Sequence, residues 1–257
     1  IGEFLMMYQY MAYFSDPITT ACAILMRYRA NMVHVARIDK LSDDAKIPKE
    51  TKKYMTNTEN LFFTEKYDFY KGKEKTDFLF HIDKLKIKKG GLYVIKGENG
   101  SGKSMFLNLL FGNVKLSFSR GGFILTDEMD EAAFLTYPIF TVDGDFMKNM
   151  YEIPIDKELM HLLQVDFSDK EILSNPVNLS YGQQQKLALL RVFGLNSPIL
   201  FLDEPLSNLD KKTQENVVAY IRKLKGEKTI LVVMHSDELD EAADSVIYIE
   251  NKKLIQK

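Results

Sequence analysis

One eight-residue string constrains this chain more than anything else in it: GENGSGKS, residues 97–104. It fits the pattern G-x-x-x-x-G-K-[ST], with the apolar stretch LYVIKG leading into it and MFLNLLF following. Such a loop cradles phosphate because consecutive backbone N–H groups point into one concavity at a helix N-terminus. Gly97, Gly100 and Gly102 permit the tight path, with Glu98, Asn99 and Ser101 between them. Lys103 is then placed to reach the β- and γ-phosphates of a nucleotide, and Ser104 to offer its hydroxyl to Mg2+. The strand before the loop reads as buried, and the run after it as a helix that stops at Gly112.

The pattern on either side extends this to an α/β fold. YDFY, DFLFHI and KLKIKK alternate as strands. In the last of these Leu85 and Ile87 face one way and Lys84, Lys86 and Lys88 the other, which reads as a solvated strand face rather than a phosphate-binding patch. VKLSF, GFILTD and AFLTY are further strands. Residues 145–190 turn helical, as DFMKNM, KELMHLLQV, DKEIL and QQQKLALLRVFG, and predict a short inserted subdomain. PILFLD and TILVVMH then alternate with the helix ENVVAYIRKLKG, and SVIYIENKKLIQK closes as a hairpin. Strands alternating with helices predict a parallel-sheet core, here with an antiparallel β region beside it.

Two more strand ends carry reactive groups. In PILFLDEP a buried-type strand ends in Asp203 and Glu204, and open α/β sheets bind ligands at the carboxyl ends of their strands. Asp203 is the candidate Mg2+ holder beside Ser104, and Glu204 the candidate that polarises an attacking water. His235 follows the next apolar strand, which puts it on the same edge as Glu204; a neutral imidazole there could hydrogen-bond a γ-phosphate. LSYGQ, at residues 179–183, precedes a helix of period 3.6 and sets Ser180, Gly182 and Gln183 at its N-terminus, with Ser180 as cap. Taken alone, it is no more than a capped helix. His34, His81 and His161 have no such context, and no His/Cys spacing suggests zinc.

The chain has 257 residues, 46% hydrophobic and 27% charged, which suits one globular domain with an appendage. A formal net charge of −2 gives no global pull toward nucleic acid. The single cysteine, Cys22, rules out an internal disulfide framework. No secretory signal is evident, and the opening IGEF reads as an expression remnant on a piece of a longer protein. Residues 4–28 are unlike the rest: two apolar runs flank Ser15-Asp16-Pro17, and Arg27, Arg29 and Arg37 follow. Joined across Pro17 they approach the roughly 20 residues of a membrane span, with a basic flank of the cytoplasmic kind. The alternative is an amphipathic helix packed on the domain or in a dimer contact. Residues 39–60, polar and containing Pro48, read as a linker.

Taken in order, GENGSGKS, LSYGQ, ILFLDEP and the lone His235 resemble the ATP-binding cassette (ABC) ATPases, over about residues 61–257. The first is similar to the Walker A motif, the second to the signature, the third to Walker B, and His235 to the H-loop histidine. SNLD at residues 207–210 resembles the D-loop. FY before KG resembles the aromatic strand that stacks on adenine, which makes Tyr70 the candidate adenine platform. The resemblance implies ATP and Mg2+ as cofactors, catalysis by Glu204, His235 and Lys103, and a head-to-tail dimer with an identical or different second ATP-binding domain. Ser180 and Gly182 would then act on ATP held by the partner.

QYMAYFSDPITTACAILMRYRANMVHVARIDKL resembles the end of the last transmembrane helix of exporters in this family, and YPIFTVDGDFMKNM the segment after their Q-loop. On that basis residues 1–45 are expected to be the helix end with its cytoplasmic extension, 46–60 a linker and 61–257 the cassette, with its helical subdomain at about 140–190. The expected setting is the cytoplasmic side of the cell membrane, joined to a transmembrane domain, with peptide exporters as the nearest likeness. A soluble ABC-type ATPase or an ATP-driven switch is the alternative. Three departures stand out: Tyr137 falls where the family has its Q-loop Gln, Met105 replaces the Thr after GKS, and Tyr181 replaces the first Gly of SGG.

Overall fold

A computed structural model describes residues 53–54, 59–71, 77–111, 116–118, 124–125, 131–135, 137–151 and 153–257. The chain divides between Pro48 and Lys49, and every described residue falls in the second unit. The expected membrane helix and its extension therefore lie outside the described residues.

The alternating pattern upstream of the phosphate loop forms two long strands rather than three short ones. These are β2 (Asn60–Lys71) and β3 (Asp77–Lys88), antiparallel over most of their length. Leu85 and Ile87 are fully buried while Lys84 and Lys88 are exposed, as the period of two requires. β1 (Lys53–Tyr54) comes from the stretch expected as linker; it pairs in parallel with β6 (Ile124–Leu125), and β6 and β5 (Leu116–Phe118) both pair with β2. A two-residue strand in a polar stretch has no period to read, so only its pairing reveals it.

The core sheet is parallel. β7 (Ala133–Leu135), β8 (Ile199–Asp203), β9 (Thr229–Val233), β4 (Leu92–Gly97) and β10 (Ser245–Glu250) lie side by side in that order. β11 (Lys253–Gln256) folds back from β10 and joins the sheet to β3. Both faces are covered, which is why β4, β8 and β9 read as continuous apolar runs. Val94, Leu200, Leu202 and Val232 point into one core, with α4 (Tyr181–Gly194) and α5 (Lys211–Leu224) packed on it. Ile95, Phe201, Leu231 and Val233 point into the other, against α1 (Lys103–Phe111) and the antiparallel strands.

The inserted subdomain holds two short helices before α4: α2 (Phe146–Asn149) and α3 (Lys157–Leu162), capped by Asp145 and Asp156. DKEIL, expected as a helix, is not one. Ile172 instead exchanges both backbone hydrogen bonds with Gly144, at 2.8 and 2.9 Å, and buries its side chain. A five-residue run cannot recover the cost of helix nucleation when a bridge already satisfies its polar groups. Arg191 of α4 pins the segment before α2: it donates to Asn149 O and Phe140 O, both at 2.7 Å, and lies 4.3 Å over the Tyr151 ring.

Phe201, fully buried in the middle of β8, touches the rings of Phe111 and Phe134. Phe201→Ala should cost about 3–5 kcal/mol of unfolding free energy, read as a lower denaturant midpoint at unchanged slope.

Candidate active site

Three neighbouring strands bring the motifs together. In register, Ile95 of β4 lies beside Val233 of β9, and Val233 beside Asp203 of β8. The chain leaves all three at one edge, so residues 97–104, Asp203 with Glu204, and His235 emerge next to one another. Two backbone bonds stitch the exits: Met234 N–H to Ile95 O at 3.3 Å, and Glu204 N–H to Val233 O at 3.1 Å.

The phosphate loop needs its glycines for two reasons. Gly97, Gly100 and Gly102 have φ of +153°, +78° and +100°. A Cβ on Gly97 would also sit 2.6 Å from Ile249 O, and one on Gly102 2.7 Å from the Phe80 ring. Lys103, 6% exposed, curls over the loop and donates to Gly97 O and Glu98 O, both at 3.0 Å. Ser101 Oγ is buried without a partner. A cleft of about 790 Å3 opens beside the loop; Met105, Phe78, Phe80, Tyr248 and Lys252 line it. Tyr70, the candidate adenine platform, is not among its lining residues. Its strand neighbour Phe78 is, and the two rings meet edge-on at 5.5 Å.

Asp203 is 6% exposed, and its Oδ1 is buried with no hydrogen-bond partner. Burial pushes its carboxyl above the usual range; the Ser104 hydroxyl bonded to it and the nearby Lys103 oppose the shift, and the Glu204 charge adds to it. A buried carboxylate with an unmet oxygen beside a serine hydroxyl is a donor set that fits Mg2+, a hard cation that prefers oxygen. Bound there, the ion would neutralise phosphate charge.

Glu204 starts a turn with φ of +48°, outside the region favoured by non-glycine residues. Ser207 Oγ donates to its Oε2 at 3.2 Å, and His235 Nε2 lies 3.3 Å from its Oε1. Its carboxylate is therefore aimed but still open to water. Ser180, Gly182 and Gln183 stand apart. Ser180 and Gln183 form a capping box on α4, with both hydrogen bonds at 3.2 Å. None of the three lines the cleft beside the phosphate loop. A Cβ on Gly182 would meet Asn208 O at 2.7 Å, so this glycine lets α4 approach the turn after β8. Tyr181 is 77% exposed.

Two groups near this edge, and one in the antiparallel region, are not evident from motifs. Gln185 of α4, fully buried, donates to Pro205 O at 2.9 Å and accepts from the Tyr137 hydroxyl. Lys96, inside β4, pairs with Asp237 and Asp240 just beyond His235. A lysine inside an apolar strand was the readable clue, since a buried ammonium requires a partner. His81 sits between Asp68 and Asp83 in the antiparallel region, away from the cleft's lining residues.

The raised Asp203 pKa has a sign. The folded state holds this proton more tightly than the unfolded chain, so ionising the group destabilises the metal-free fold as pH rises through the window above its unfolded value. Asp203→Asn should raise metal-free stability by on the order of 1 kcal/mol, about 2–4 °C in thermal midpoint, and abolish stabilisation by Mg2+ with ATP. Scanning calorimetry with and without nucleotide checks both.

Residues 80–207 match the family described as ABC transporter. Among curated relatives, a probable ABC transporter ATP-binding/permease protein of Haemophilus influenzae is 31% identical over 196 residues, 66% of this chain and 35% of the relative. The ATP-dependent lipid A-core flippase of Pasteurella multocida is 36% identical over 110 residues, 43% of this chain and 18% of that one. A probable sulfate/thiosulfate import ATP-binding protein CysA of Chlorella vulgaris is 29% identical, covering 67% and 81%. The chain thus spans about a third of the length of the permease fusion it matches. In fold it is similar to a dimeric ATP-binding cassette in a post-hydrolysis state with ADP and Pi bound, at TM-score 0.60 and 22% identity, covering 76% of this chain and 97% of that one. It is also similar to a bacterial Atm1-family ABC exporter with ATP bound, at TM-score 0.67 and 18% identity, covering 89% and 44%. With the phosphate loop, the paired acids and the histidine on one sheet edge, the chain belongs to the ABC ATPase family, as the ATP-hydrolysing cassette of an ABC transporter.

Proposed function

We propose that this cassette powers export, with the reaction centred on Glu204. The observation that carries the chemistry is the position of that carboxylate, between Ser207 and His235 and one residue from Asp203. In this reading Glu204 accepts a proton from the attacking water, and His235 hydrogen-bonds the γ-phosphate. Lys103 leaves its two loop carbonyls for the phosphates, and with the loop N–H groups stabilises charge on the transferred group. Asp203 and Ser104 would hold Mg2+. Tyr70, in edge contact with Phe78 of the cleft lining, would stack on the base.

The free N–H groups at the start of α4 suit an anion, yet Ser180 and Gly182 do not line this chain's own cleft. That supports a head-to-tail dimer in which they meet ATP held by the other copy, with Tyr181 on the contact face. Export is supported by the relatives whose names join a cassette to a permease or describe a flippase, and by the likeness of residues 9–41 to the last helix of exporters. Among the described residues no helix is long and apolar enough to cross a membrane. In this reading residues 1–45 would carry the end of the last transmembrane helix and its extension, on the sequence likeness alone. The substrate suggested by the likeness is a peptide, and the cassette faces the cytoplasm. One observation favours a second reading, an ATP-driven switch with little turnover: Tyr137 stands in the Q-loop position.

Glu204→Gln should keep ATP binding and lower turnover by about a hundredfold or more. Turnover of the unsubstituted chain should rise more than linearly with protein concentration. Unchanged turnover in the variant removes Glu204 from this role, and strictly linear dependence removes the shared site.

A further inference from the structure

Beside the reactive edge, one phenol closes a set of hydrogen bonds around the turn that carries Glu204. Tyr137 lies two residues beyond β7 and is 43% exposed. Its hydroxyl donates to Gln185 Oε1 and lies near the side chains of Ser207 and Asn208. Gln185 in turn donates through Nε2 to Pro205 O at 2.9 Å and to Glu204 O at 3.4 Å. Ser207 donates to the Glu204 carboxylate itself at 3.2 Å. The turn so enclosed has positive φ at both ends, +48° at Glu204 and +60° at Asn208. Backbone of that kind persists only where its surroundings over-determine it.

We propose that Tyr137 is a positioning residue for ATP hydrolysis: through Gln185 its hydroxyl fixes the turn from Glu204 to Asn208, and with it the direction of the Glu204 carboxylate. The proposal rests on the ATPase reading above. A phenol suits the task because its one proton serves the buried amide oxygen, which leaves the amide nitrogen for the turn's carbonyls. Burial is the main cause that pushes its pKa up, so it stays neutral and keeps its proton for Gln185. As a neutral hydroxyl outside the Asp203–Ser104 donor set, it acts by orientation and not by charge. Glu204 and Tyr137 are 67 residues apart in sequence, and no local pattern ties one to the other.

The test uses the full chain with Tyr137→Phe, which keeps the ring and loses only the hydroxyl. Turnover at saturating ATP should fall about tenfold, the size of one neutral hydrogen bond lost from the transition state. Nucleotide affinity should stay unchanged while the thermal midpoint falls by only a few degrees, about the cost of one buried acceptor left without its donor; a merely structural role would not separate turnover from affinity in this way. Ser207→Ala should act on the same path, so the double variant should lose less than the product of the two single losses. Hydrogen–deuterium exchange of residues 204–208 should quicken several-fold in Tyr137→Phe, a readout that does not depend on turnover. Turnover within twofold of the parent, or exchange of that turn unaltered, overturns the proposal. If Glu204→Gln is fully active, the reading of Glu204 as base falls first and Tyr137 with it. If Glu204→Gln is dead and Tyr137→Phe is fully active, only the role of Tyr137 falls.

Discussion

The parallel register of β4, β9 and β8 is what the rest of this molecule depends on. A phosphate loop at residues 97–104, a pair of carboxylates at 203 and 204 and a histidine at 235 are far apart along the chain, and only the pairing of Ile95, Val233 and Asp203 in adjacent strands sets them side by side. The apolar faces of these strands hold that register, because a slip by one residue would exchange the two cores they fill. Helices on both faces then leave one place for polar groups to gather, the edge where the strands end.

That edge is electrostatically costly, and the cost is localised. Asp203 is buried with an oxygen unmet, Lys103 spends its charge on two carbonyls, and Glu204 sits in backbone that favours glycine. Each group is held where it is not most stable by itself, the usual condition of a functional site. Elsewhere buried charge has partners, although Nη2 of Arg191 is left without one. Lys96 meets two aspartates beyond His235, and Arg191 fills its surroundings with carbonyls and an aromatic face. Both also fix segments that lead into the site, the loop after His235 and the stretch from Tyr137 to α2.

How much of this could be read from residues alone follows from the range of the interactions. The phosphate loop, the strand-ending acids and the cap at Ser180 depend on neighbours within a few positions, and each lies where the pattern places it. The period of two in KLKIKK correctly separated Leu85 and Ile87 from the lysines. DKEIL misleads because its composition suits a helix while its fate is decided by Gly144, 28 residues earlier. Lys53 and Tyr54 look like linker because their partner strand β6 is distant. The bonds joining Tyr137, Gln185 and the turn at Glu204 and Pro205 connect three separate segments, and no spacing rule reaches across them. The place of Tyr137 just after β7 was legible as a departure from a motif; what its hydroxyl touches was not.

The central claim is that this strand edge binds ATP through the loop at residues 97–104 and the carboxylate at Asp203. Calorimetric titration of the chain with a non-hydrolysable ATP analogue, with Mg2+ and with the metal chelated, tests it most directly. One nucleotide per chain should bind, more tightly with Mg2+, and Lys103→Ala should weaken binding by about tenfold or more. Binding that neither Mg2+ nor the loss of Lys103 alters would place the nucleotide elsewhere and contradict the account.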